Sequence, residues 1–207
     1  MANLSSPFLH RRFWTDIAVK IEKSPLEGCF LVHFEPHCDE RGWFKRTFDR
    51  SAFQKFGLSS RIDHTALSFN EKAFTLRGLH FQADPVMDEK LVQCFQGSIF
   101  DVVADIRPDS QTLGSWFAVE LQPSANIGLF IGKGFAHGFL TLVENTIVSY
   151  HMTQKYDPER ARGIKWNDPQ LAIEWPATPT LISDNDRRLP NFTDLSLLDL
   201  GLAGLMR

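Results

Sequence analysis

Two histidines, two tyrosines, a lysine and a pair of aspartates carry the chemistry this chain could perform. The stretch TLRGLHFQ, residues 75–82, sets Arg77 and His80 about one glycine, Gly78. Side chains of a strand point alternately to two faces. Leu76, Gly78, His80 and Gln82 therefore share one face, and Thr75, Arg77, Leu79 and Phe81 the other. An imidazole, with an unperturbed pKa of about 6.5, is suited to moving protons near neutrality. A lone histidine, however, reads first as a buried ring satisfied by a neighbouring polar group. GKGFAHGF puts His137 between glycines, which let backbone or ligand approach closely. DEKLVQCFQG begins a strand near Lys90, by default a solvated edge lysine. VSYHMTQKY carries Tyr150 and Tyr156, the only two tyrosines, and ISDNDRR carries Asp184 and Asp186 in a polar turn. Singly, each has a structural explanation.

The elements that must position these residues are short strands. Eighteen phenylalanines and five tryptophans among 207 residues favour pleated, half-buried surfaces. From GCFLVHFEPH onward, short apolar stretches alternate with turn signals such as DERGWF, RPDSQTLG and QPSANIG, the pattern of an all-β sandwich or barrel. In SIFDVVADIR, Phe100, Val102, Ala104 and Ile106 fall on one face and Asp101, Val103, Asp105 and Arg107 on the other, so one face should pack and the other be wet or line a cavity. DRSAFQKFG spaces Phe53 and Phe56 three apart and stops on Gly57, as a short helix would.

Length argues for one domain with decorations. Residues 1–22 read as an extension, in which FWTDIAVKIEK could form an amphipathic turn or two. Residues 23–192 read as the core domain, and 193–207, ending in TDLSLLDLGLAGLM, as a helical tail. A net charge of −3, from 22 basic and 25 acidic residues, gives no general pull toward nucleic acid or anionic membrane, so neither is expected as a partner. No apolar run reaches the roughly 18–20 residues of a membrane span, and MANLSSPFLHRRFW lacks the apolar core of a signal peptide; a cytoplasmic protein is expected. Cys29, Cys38 and Cys94 have no CxxC spacing and suggest neither a disulfide framework nor a zinc site. They are expected as reduced thiols, one or more in the core.

Taken together and in order, DERGWF, LRGLHFQ, EKLVQCFQGSIFDVVADIRPDS, GFAHGF, GIKWNDP and ISDNDR resemble the dTDP-4-dehydrorhamnose 3,5-epimerase family, carbohydrate epimerases of the cupin class. The similarity runs from about Leu26 to Phe192. It implies a jelly roll of two packed antiparallel sheets with short peripheral helices, a homodimer, and no metal or other cofactor. It also implies a substrate, a nucleotide-diphosphate 4-keto-6-deoxy sugar, inverted at C3 and/or C5 through an enolate in deoxysugar biosynthesis. By resemblance His80 is the base, Asp186 the carboxylate that orients it, Lys90 the oxyanion partner and Tyr150 the acid on the far side. Arg77 and Arg41 match diphosphate-binding arginines, while Gln82, His137 and Tyr156 belong to the substrate pocket. Strict alternation turns Arg77 away from His80; either a bulge at Gly78 returns it to the pocket, or it serves elsewhere.

The chain departs from the family where the thymine base is held. Arg46 stands in place of a glutamate, and His64 and Ala66 in place of a glutamine and an asparagine, so a CDP-linked or other nucleotide sugar is open beside dTDP. Phe74 and Gly132 replace a usual glycine and proline. Two rival readings accompany the epimerase: a metal-dependent cupin using His80, His137 and a carboxylate such as Glu89, and a non-catalytic sugar-nucleotide-binding protein, since a fold alone does not imply activity.

Overall fold

Runs of β-branched and aromatic residues bounded by glycine, proline and aspartate become strands wherever a second layer can cover their apolar face. The structure is a computed structural model that describes residues 19–196. In chain order the strands are β1 (Val19–Lys23), β2 (Cys29–Phe34), β3 (His37–Asp39), β4 (Gly42–Phe44), β5 (His64–Asn70), β6 (Thr75–Gln82) and β7 (Lys90–Gln96). They continue with β8 (Ile99–Asp105), β9 (Trp116–Leu121), β10 (Ile127–Ile131), β11 (Phe135–Thr141), β12 (Thr146–Met152), β13 (Ala161–Gly163) and β14 (Leu181–Ile182). Helix α1 (Arg50–Lys55) precedes β5, and α2 (Asp184–Arg187) follows β14.

Two sheets face each other, as the jelly roll requires. One runs β1-β2-β10-β7-β12-β5 and the other β13-β6-β11-β8-β9, with β14 parallel on β6 and β3-β4 forming a separate hairpin. Val92, Cys94, Leu129, Ile131 and Val148 of the first sheet meet Ile99, Val103, Leu121, Phe135 and Phe139 of the second in a buried core. The outer face of the first sheet packs Val32, Phe34, Leu91 and Phe130 under Phe53 of α1. That helix forms as its sequence suggests: Asp49 caps it by accepting from the Ala52 N–H, and Gly57 takes over at φ +78° just beyond its end.

Two expectations need correction. Both faces of β8 are buried, because Val102, Ala104 and Ile106 pack beneath Ile164, Leu171 and Phe192 while Asp101, Val103 and Asp105 point between the sheets. Of the two alternatives for the aspartate face, wet or beside a cavity, the wet one fails: that face points inward, where Asp101 bonds the cavity-lining His137, and a connecting segment covers the other face. Residues 19–22, placed at the end of the N-terminal extension, form with Lys23 a strand paired with β2 and not a helical turn. The rest of that extension, residues 1–18, and the C-terminal tail beyond residue 196 lie outside the described residues.

The opening puzzle resolves in β6. His137 pairs with His80 and Phe139 with Arg77, so Gly78 and Leu79 together oppose Gly138 alone. This is a bulge, and its extra residue shifts the alternation. Arg77 and His80 both become exposed, with Leu79 buried between them. Gly78 makes this possible: its φ is +111°, and a Cβ there would lie 2.6 Å from the Gly138 Cα and 2.7 Å from the His137 carbonyl oxygen. Only a residue without a side chain fits that approach.

Candidate active site

A cavity of about 890 Å³ opens between the sheets. His64, Lys90 and Tyr150 reach it from β5, β7 and β12 of one sheet. Arg77, His80 and Gln82 of β6 and His137 of β11 reach it from the other, and Tyr156 and Asp186 complete the set. Nine of the eleven residues singled out in the sequence thus share one cavity. Arg41 and Arg46 are not among its lining residues. Arg41 sits on the β3–β4 hairpin with its guanidinium on Asp39, and Arg46 pairs with Asp49.

His80 Nε2 lies 2.7 Å from Asp186 Oδ1, and Asp186 Oδ2 accepts the Gly78 N–H at 3.2 Å. Asp186 is held for this task by α2, where the Ser183 side chain caps its own N–H. It is buried, not the solvated turn carboxylate that its local sequence suggests. Burial works to raise its pKa, but the hydrogen bond and charge of His80, with the Gly78 N–H and Ser183, bring it below the ordinary carboxylate range. An ionised carboxylate only accepts, so Nε2 carries a proton, and in the neutral ring Nδ1 then offers its lone pair. The imidazole is half-exposed to the cavity.

Lys90 is buried in a central strand between β10 and β12, paired with Asp88 at 3.3 Å, so the solvated-edge reading fails. Its ammonium is a preorganised positive donor at the cavity wall. A second histidine–aspartate pair lies deeper: His137 Nε2 is 2.7 Å from Asp101 Oδ1, with Asp101 inaccessible to solvent. The His137 ring stands edge-on to Tyr150 at 6.5 Å. Burial pushes the Tyr150 phenol well above its ordinary pKa of about 10, with its hydrogen bond to the Ser68 hydroxyl only partly opposing the shift. The phenol is therefore fully protonated at neutral pH, a proton donor and not a base.

Sequence reasoning missed Asp88, Asp101, Ser68 and Asn70, which touch or support these groups. Asp101 had a visible signal, since alternation put it with Val103 on the face now known to point inward. The cysteines are free; burial pushes Cys29 up to about 12 and Cys94 up to about 11, so neither is a thiolate nucleophile at neutrality. The metal-cupin set does not assemble: His80 and His137 each turn Nε2 to an aspartate of their own, and Glu89 is not among the lining residues. Among the described residues no three histidines, cysteines or carboxylates are grouped to hold a metal.

Comparison with known proteins decides the family. The dTDP-4-dehydrorhamnose 3,5-epimerase family profile matches residues 23–194. The chain belongs to that family. A dTDP-4-dehydrorhamnose 3,5-epimerase of Methanothermobacter thermautotrophicus is 41% identical over 168 residues, 80% of this chain and 90% of the relative. The one from Escherichia coli is 38% identical over 186 residues, covering 88% and 99%. Among solved structures, the dTDP-6-deoxy-D-glucose-3,5-epimerase of Legionella pneumophila in complex with dTDP-4-keto-L-rhamnose superposes with a TM-score of 0.83 at 31% identity, covering 88% of this chain and 97% of that one. As in these dTDP-4-dehydrorhamnose 3,5-epimerases, the fold is two packed antiparallel sheets, and among the described residues no helix is long and apolar enough to cross a membrane.

Proposed function

We propose that this chain inverts C3 and C5 of a nucleotide-linked 4-keto-6-deoxy sugar by proton abstraction and return. The observation that carries this reading is the placing of His80, bonded to Asp186 of α2, on one sheet and Tyr150 on the other, about one cavity. His80 Nδ1 takes a proton from the carbon next to the C4 ketone, and Asp186 stabilises the imidazolium that forms. The electrons move into the carbonyl, and the Lys90 ammonium holds the resulting enolate oxyanion. Tyr150 returns a proton to the opposite face. Arg77 engages the diphosphate through its planar fork, and Gln82, His137 and Tyr156 shape the pocket. The test is conversion of dTDP-4-keto-6-deoxy-D-glucose: new proton coupling constants of the inverted sugar are expected, and recovery of the unchanged sugar would refute the reading.

For the nucleotide, His64 stands at the cavity while Arg46 is engaged with Asp49. A site that no longer hydrogen-bonds a base edge loses the penalty against the wrong base. Titration calorimetry with TDP, UDP, CDP and GDP is therefore expected to show affinities within about tenfold of one another. A strong preference for TDP would refute this part.

The exposed apolar face of the edge strand β5, where Leu67 and Phe69 are 65% and 57% accessible, supports a homodimer. Sedimentation should give twice the chain mass of 23.6 kDa; the monomer mass would contradict it. We place the protein in the cytoplasm, in keeping with its free cysteines; recovery only in membrane or secreted fractions would contradict that.

A further inference from the structure

The Tyr150 phenol makes a hydrogen bond with Ser68 Oγ at 3.3 Å. Ser68 lies opposite Val148 and thus diagonally from Tyr150, which faces the small Ala66. Behind the serine sits Asn70, which is buried. Arg77 Nε donates to Asn70 Oδ1 at 2.7 Å; the amide nitrogen donates to the Thr146 carbonyl at 3.2 Å and to Ser68 Oγ at 3.4 Å. A guanidinium only donates and a carbonyl only accepts, so the amide has one possible orientation. Ser68 Oγ must accept from Asn70. The serine oxygen keeps a second lone pair, but among the described residues the phenol oxygen is the one acceptor for the Ser68 O–H, and with that proton given to it the phenol proton is left for the cavity.

We propose that Ser68 is the positioning residue for Tyr150: it donates to the phenol oxygen, aims the phenol proton at the substrate carbon and holds the phenolate left behind. The proposal rests on the reading of Tyr150 as the acid. In that step the Tyr150 O–H bond breaks and a C–H bond forms from the electron pair of the enolate. The negative charge passes from enolate to phenolate, and solvent water later returns a proton to the oxygen. Ser68 keeps its own proton throughout. In a site where burial disfavours the phenolate, that one donor matters, and hydrogen bonds to charged groups are strong enough for the loss to slow the step about ten- to a hundredfold.

Valine and threonine at position 68 share a shape and differ in the hydroxyl. Ser68→Val is expected to keep wild-type solvent deuterium exchange through His80 and an unchanged KM, since Ser68 does not line the cavity, but to lose about ten- to a hundredfold in net inversion. Ser68→Thr should restore inversion to within about threefold of wild type. Equal inversion by Ser68→Val and the wild-type chain, or equal losses by Val and Thr, would overturn the role of Ser68. A fall in exchange parallel to the fall in inversion would also overturn it, as the signature of a general structural defect. A wild-type chain that exchanged no hydrogen would overturn the reading of the site and this proposal together.

Discussion

His80→Ala is expected to abolish incorporation of solvent deuterium at both sugar carbons while the substrate still binds, a loss of about 10²–10⁴-fold. The reason lies in how few groups could replace it. His80 presents Nδ1 to the cavity because Asp186 holds Nε2–H, and the bulge at Gly78 leaves the ring exposed between the buried Leu79 and Phe81. His137, its cross-strand neighbour, is buried and tied to Asp101, so its imidazole is not offered in the same way. Removing the orienting carboxylate should have a related effect, since an aspartate that fixes a histidine tautomer can be worth as much as about 10⁴-fold. Exchange is read by NMR or mass spectrometry in D2O, and binding by calorimetry. A His80→Ala chain that exchanged at the wild-type rate would remove His80 from the reaction.

Tyr150→Phe is expected to separate the two halves of the reaction. Deprotonation and reprotonation on one face return the starting sugar, so inversion needs a donor on the other. Tyr150 projects from the opposite sheet, and burial pushes the pKa of its phenol above the ordinary value of about 10, so it carries its proton at neutral pH. An adjacent enolate is basic enough to take that proton. Without the phenol, His80 still removes and returns hydrogen. Deuterium exchange should persist near the wild-type rate while net inversion falls by about 10²-fold or more, most of all at C5. Solvent could substitute at one carbon more readily than at two. Normal inversion at C5 in Tyr150→Phe would mean that water or another residue is the acid.

The strand-rich fold was legible because alternation and turn residues are local. LRGLHFQ, SIFDVVADIR and GFAHGF each became a strand. What was not legible depended on distant parts of the chain. Alternation in β6 fails at a single glycine, whose role depends on the close approach of Gly138 in β11. The outer face of β8 is covered by residues some sixty positions later, which no local period reveals. The Asp186 that orients His80 follows it by 106 positions, and its assignment came from family resemblance, not from spacing. Lys90 looked like an edge lysine because strand order, which puts β7 in the middle of its sheet, is set by long-range pairing. Ser68 and Asn70 lay unnoticed among exposed apolar residues of β5, since their importance comes from Tyr150 and Arg77 on other strands.

The most direct measurement is one NMR time course in D2O with a dTDP-linked 4-keto-6-deoxy sugar, run on the wild-type chain, His80→Ala and Tyr150→Phe. The wild-type chain should place deuterium at C3 and C5 with inversion at both; His80→Ala should do neither; Tyr150→Phe should place deuterium while leaving most of the configuration unchanged. Deuterium entering at the wild-type rate in His80→Ala, or full inversion in Tyr150→Phe, would contradict a two-sided proton transfer between these residues.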